Sequence, residues 1–258
     1  MRRPKHLFLI YRTKHYNQSK PIIVFTIRMI DTIDHIFLLC DPIKEPTRFQ
    51  YLQTWLKNNH IDPSTYTIGL SCYGSDISVE QAFSVYNPWQ NRKPVEQERN
   101  FNSYNLKPSE ISLVLNWYAV AKQAVEKKYT TVMILESDIL FFDNFLENLQ
   151  ISLGILQRGK VAWDFLSISG REDLRPKRDS TDTKLAWFRN PGYYHTRTTD
   201  AMIFKVSMLE KIIGTLFPFA EVLDWELNYQ LALHSSQSFW LDPPICRQGS
   251  GKEYPTTL

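Results

Sequence analysis

Glu136 and Asp138 stand one residue apart in TTVMILESDILFF, residues 130–142, where an apolar run stops and then resumes. Two carboxylates at that spacing, on a chain bending out of a strand, can face one hard cation such as Mg2+ or Mn2+ together with substrate phosphates. Nucleotide-sugar chemistry uses that combination. The plainer alternative is that both acids only end the strand and cap the next helix, positions that Asp and Ser favour.

To present these side chains, the run before them must be a strand. Its Val, Ile and Leu content predicts one buried on both faces, the kind found in parallel sheets, whose ligands sit beyond the carboxyl ends of the strands. IDHIFLLCD at 33–41 predicts an earlier strand, and Phe49, Leu52, Trp55 and Leu56 follow at helical spacing. Residues 66–70 predict a second strand; residues 74–105 are polar, contain Pro and lack a period, so they read as a long loop. Lys107, Pro108, Ser109 and Glu110 open a helix that continues to about Val125. Beyond the motif, helices are expected at 142–156, 208–213 and 224–233, and strands at 163–170 and 201–206. Alternating strands and helices imply an α/β protein with a Rossmann-like, mostly parallel central sheet. Residues 1–32 read as an N-terminal extension with peripheral strands at 6–11 and 21–27. Arg171, Arg175, Lys177 and Arg178 lie in a charged segment that reads as a lid, and the chain after Phe239 as a tail too polar for the core.

A hydrophobic fraction of 43% in 258 residues is enough for a substantial core. Thirty basic against twenty-seven acidic residues leave +3, too little charge to make nucleic acid the expected partner. Cys40, Cys72 and Cys246 are widely spaced and form neither a metal motif nor a disulfide framework. No apolar run has the length of a membrane span or a signal-peptide core, so the expectation is a soluble, cytoplasmic protein without a transmembrane segment.

Several ordered blocks resemble glycosyltransferase family 25, which includes lipooligosaccharide and collagen galactosyltransferases. They are FLLCD with Arg48; Glu110; ESD at 136–138 followed by FDNFLENL; GYYHTRTTDAMIFKVSMLEKII; Asp224; and PPICRQ with Pro244 and Gln248. The likeness spans about residues 33–250. It implies a single GT-A domain over 33–258, with a nucleotide-binding half to about 140 and an acceptor half after it. The implied reaction is inverting transfer of a sugar from a nucleotide-diphosphate donor, a UDP-sugar being expected, to a hydroxyl of a glycan or glycoconjugate, with Mn2+ or Mg2+. Asp138 would bind the cation directly, Glu136 through water or the donor ribose, and His195 or His234 would supply a third ligand. Asp41, Arg48, Glu110 and Ser137 would serve the donor.

Asp224 or Glu226 would take the acceptor proton, with helix capping as the alternative role, and Trp225, Tyr193 and Tyr194 would shape the acceptor site. Two positions depart from the family pattern. Ser137 replaces the middle acid of an E-D-D triplet, and Asn116 with Trp117 replace Ser-His. A catalytically inactive, sugar- or partner-binding relative is the competing reading. Phosphoryl transfer ranks lower because the chain has no Gly-rich phosphate loop ending in Lys.

Overall fold

Five apolar or aromatic residues in a row, HIFLL, are buried at every position and make the first strand, β1 (His35–Leu39). The computed structural model describes residues 32–90, 106–170, 188–189, 195–196 and 198–249. Seven strands form one sheet in the order β2 (Tyr66–Ile68), β1, β3 (Thr131–Glu136), β7 (Ala201–Lys205), β5 (Phe165–Ser167), β8 (Ser238–Leu241) and β6 (Phe188–Arg189). β1 runs parallel to β2 and β3, and β5 parallel to β8. β7 is antiparallel to β3 and β5, and β6 to β8, so five strands point one way and two the other. This is an α/β protein with a mostly parallel central sheet flanked by helices, Rossmann-like in build. The expectation of a parallel sheet holds except at its centre, where β7 is reversed, and at its β6 edge.

Successive side chains leave a strand on opposite faces. Ile36, Leu38, Met133, Leu135 and Ile203 pack beneath α1 (Pro46–Asn58) and α4 (Phe145–Arg158). Phe37, Val132, Ile134, Met202 and Phe204 pack against α3 (Pro108–Glu126), α5 (Val206–Ile213) and α6 (Leu223–Leu233). Both faces of the sheet are therefore covered, which is why these strands read as unbroken apolar runs. Trp117 of α3 meets Phe204 edge-on at 5.7 Å, and both are fully buried.

Three regions differ from the sequence expectation. The polar stretch after residue 74 contains a short helix, α2 (Val79–Val85), fixed by reciprocal bonds between Ser78 and Gln81. That is a Ser-x-x-Gln capping box, a signal present in the sequence. The run after the ESD triplet does not continue β3. It becomes β4 (Ile139–Phe141), which leaves the main sheet and pairs with β9 (Cys246–Gln248). The segment expected to be a polar tail supplies both β8 and β9, and Leu241, Ile245 and Cys246 are buried. The peripheral strands expected at 6–11 and 21–27 and the charged lid lie outside the described residues.

His35 points into the core beside Tyr129, its ring stacked at 5.0 Å and its nitrogens bonded to Thr67 Oγ1 at 2.9 Å and Tyr129 Oη at 3.3 Å. Burial holds its pKa below the ordinary 6.5, and His195 is lowered for the same reason. Because the unfolded chain takes up these protons first, stability from this source falls as pH drops through about 6.5, until the lowered folded pKa is passed. Between denaturant melts at pH 7.5 and pH 5, His35→Gln should lose less stability than the parent. An identical loss in both proteins would remove His35 from the account.

Candidate active site

β3 ends in Glu136, and the next two residues turn inward, so that Ser137 and Asp138 are both buried. Reversal of β7 brings its first residues to the same end of the sheet: Leu135 pairs with Ala201, and the Glu136 N–H donates to the Asp200 carbonyl at 2.9 Å. From the β9 side, the Gly249 N–H donates to the carbonyl of Asp138 at 2.8 Å. The ESD turn is thus clamped between two chain segments.

The charges of four carboxylates act on one another here. Desolvation, then the charges of Asp138, Asp200 and Asp224, push the Glu136 carboxyl well above the usual carboxylate range, while a 2.5 Å bond from Thr199 Oγ1 acts the other way. Asp200 is likewise raised, chiefly by burial and also by Asp138; hydrogen bonds from Ser169 and Thr198 oppose the rise. Among the described residues no Lys, Arg or His forms an ion pair with Glu136 or Asp200. Buried acids without a neutralising partner are costly, and functional sites are where that cost is commonly tolerated.

Ser137 belongs to a different set of contacts. Arg48 Nη1 donates to Glu45 Oε1 at 2.8 Å and to Ser137 Oγ at 2.9 Å, and the Ser137 hydroxyl donates to the same Glu45 oxygen at 2.7 Å. The other oxygen, Glu45 Oε2, accepts from the Asp41 N–H at 3.0 Å. An acid at position 137 would face Glu45, which gives a physical reason for a hydroxyl in the middle of the triplet. Arg48 therefore fixes the motif from below, a role sequence reasoning did not assign to it.

Beside the triplet lies a cavity of about 170 Å³ lined by Leu39, Leu70, Tyr73, Asn116, Asp138 and Gln248. It is smaller than the roughly 300–1,000 Å³ of sites for drug-sized ligands, and so suits one ring system rather than a whole nucleotide sugar. Asn116 shapes its wall: Oδ1 accepts from the Ser71 N–H at 2.7 Å and the Cys72 N–H at 3.1 Å, and Nδ2 donates to the Cys72 carbonyl at 2.8 Å. Gly74 completes the wall, where a Cβ would come within 2.7 Å of the Ser109 backbone nitrogen. A larger cavity of about 570 Å³, between the end of α1 and the start of α4, is lined by Trp55, Phe142 and Asn144 but by none of the four carboxylates.

The remaining candidates divide. Asp224, half-buried at the start of α6, lies close enough to raise Glu136, and Trp225 follows it, its N–H bonded to Asp224 Oδ1 at 2.9 Å. Glu226 instead points into the protein, accepting from the Ala220 N–H at 3.0 Å and from Gln230 Nε2 at 3.0 Å. Glu110 caps α3 through the Lys107 N–H at 2.6 Å, and Asp41 caps a turn through the N–H groups of Ile43 and Lys44. His195 bonds Ser238 at 2.7 Å and His234 bonds Thr215 at 2.9 Å, so each has its own partner in the fold. Tyr193 and Tyr194 lie outside the described residues. Sequence reasoning missed Asp200, Thr199 and Glu45.

Among the described residues no three His, Cys, Asp or Glu side chains form a ready cation cage. A cage is not required for Mg2+-type chemistry, in which one or two carboxylates and the substrate phosphates share the ion. Glu136 and Asp200, buried without an ion-pair partner among the described residues, could accommodate a cation of that kind beside Asp138.

No family model and no curated protein matches the chain, so the likeness to glycosyltransferase family 25 stands on the sequence blocks alone. Among solved structures, the chain is similar to A197 from STIV at 13% identity and a TM-score of 0.41, covering 83% of each chain. It is also similar to mannose-1-phosphate geranyltransferase from Thermus thermophilus, at 8% identity and a TM-score of 0.31, covering 84% of this chain and 73% of that one. Among the described residues, no helix is long and apolar enough to cross a membrane.

Proposed function

We propose that the chain is a cation-dependent glycosyltransferase of the GT-A type, moving a sugar from a nucleotide-diphosphate donor to a hydroxyl of a glycan acceptor. The carrying observation is that Glu136 and Asp138, at the end of a buried parallel strand, line a cavity the size of one ring system, with Asp224 at the start of α6 near enough to act on Glu136. In this reading Leu39, Leu70 and Tyr73 receive the base, while Asn116 and Gly74 hold the loop that forms its wall. Asp138, supported by Glu136, would hold Mn2+ or Mg2+, and a cation there would supply charge neutralisation for the departing diphosphate. Asp224 accepts the acceptor proton as the hydroxyl oxygen bonds to the sugar's anomeric carbon. The carbon–oxygen bond to the diphosphate breaks, and its electron pair leaves with the phosphate. Trp225, next in the chain, offers an aromatic face to the acceptor.

Incubating the protein with a panel of UDP- and GDP-sugars tests this, with Mn2+ or chelator and with free nucleotide as the readout. At least one donor should be hydrolysed in Mn2+ and spared in chelator. A folded protein that cleaves none of them, with or without simple glycan acceptors, would leave a sugar- or partner-binding module as the better account.

A further inference from the structure

The four carboxylates at the end of β3 differ in how they are held, and Asp200 stands apart. It is only 1% exposed, deeper than Glu136 or Asp224, although it lies just before an antiparallel strand rather than at the end of a parallel one. One oxygen, Oδ2, accepts from the Ser169 hydroxyl, which follows β5. The other, Oδ1, is buried and has no hydrogen-bond partner among the described residues. Its backbone carbonyl is tied to Glu136, so side chain and motif share one rigid strand end.

A buried carboxylate oxygen with nothing to bond loses its water without return, and native proteins rarely leave such an atom unless a ligand completes it. The antiparallel register that pairs Leu135 with Ala201, with the Glu136 N–H bonded to the Asp200 carbonyl, sets Asp200 opposite Glu136 on the same side of the sheet, and the charges of Asp138 and Asp200 act along the same strand end. Ser169 holds the side chain from behind, as an outer partner orients a ligating carboxylate. A buried carboxylate with one oxygen anchored and one open has the form of a single-oxygen cation ligand.

We propose that Asp200 is a second protein ligand of the divalent cation, partnering Asp138 across the junction of β3 and β7. The proposal rests on the cation-dependent reading above and refines it. Two carboxylates from two strand ends hold the ion, and Glu136, engaged by Thr199, orients rather than binds directly. The arrangement leaves the remaining coordination positions to substrate oxygens and water.

Binding, not turnover, tests this. Mn2+ is titrated into the full chain alone and with UDP or GDP, and free Mn2+ is read by electron paramagnetic resonance, for the parent, Asp138→Asn and Asp200→Asn. Asp200→Asn should weaken Mn2+ binding by about 10-fold or more, as loss of a ligand or its support does. Weakening in Asp138→Asn together with parent-like binding in Asp200→Asn would overturn the proposal and leave the broader reading standing, with Asp200 a protonated structural acid. No Mn2+ binding by the parent in any mixture would bring down both. If Asp200→Asn does not fold, anomalous scattering from parent crystals soaked in Mn2+ decides. Density about 2.1 Å from an Asp200 oxygen supports the assignment, and a cation on Asp138 alone refutes it.

Discussion

Asp138→Asn should abolish cation-dependent donor cleavage while leaving a protein at least as stable as the parent. The side chain is 4% exposed and its charge acts on both Glu136 and Asp200. An amide of the same shape keeps the packing but removes a hard anionic ligand and one of the mutually repelling charges. Loss of a group that stabilises a developing leaving-group charge costs about 10²–10³ in rate, so cleavage in Mn2+ should fall at least that far. The cation-free protein should gain about 1 kcal/mol, or roughly 3 °C in Tm, since sites of this kind trade stability for activity. The difference between the Mn2+-bound and free Tm, clear in the parent, should vanish in the variant. Full cleavage activity in Asp138→Asn would sink the cation assignment.

Much of the frame was legible because its signals are local. β1, β3 and β7 are runs of consecutive apolar residues, and α1, α3 and α4 carry apolar residues at helical spacing. The acids at the end of β3 were readable for the same reason, since a carboxylate that ends a buried strand of a parallel sheet falls where ligands bind. Asp200 was not, and the cause is strand direction. In a parallel strand the residue before Ala201 would sit at the far end of the sheet from Glu136, whereas the antiparallel pairing of β7 with β3 sets them side by side. Hydrophobic pattern establishes that a strand exists but says nothing about which way it runs.

Contacts distant in sequence were equally hidden. Ser137 meets Glu45 across 92 positions and Arg48 across 89, so no spacing rule could have shown that the odd serine of the triplet has a partner of its own. Asn116 illustrates the same limit, since its helix periodicity was plain but its bonds to residues 71 and 72 were not. The C-terminal strands escaped for a different reason. SFWL and CRQ are short, and Pro243 and Pro244 between them read as a break, yet β4 has no other partner in its two-stranded sheet than β9.

Arg48→Met should destabilise the fold strongly and affect donor binding only as a consequence. The guanidinium and the Glu45 carboxylate are each less than a tenth exposed, 2.8 Å apart, and share Ser137. Removing one partner leaves Glu45 charged and buried, a change that costs about 3–5 kcal/mol. For a chain of this size the lower end corresponds to a Tm loss of roughly 10 °C. Replacing both, as Glu45→Leu with Arg48→Met, removes the stranded charge and should recover most of that loss, because buried ion pairs are commonly exchangeable for apolar pairs of similar volume. The double variant is the decisive protein. If Arg48 serves the motif only by bracing it, the recovered fold should bind UDP or GDP with the parent's affinity in Mn2+, apart from any shift of Ser137. If the guanidinium instead holds the donor's phosphates, stability will return but nucleotide affinity will not, and the network at the base of the ESD turn would be part of the binding surface itself.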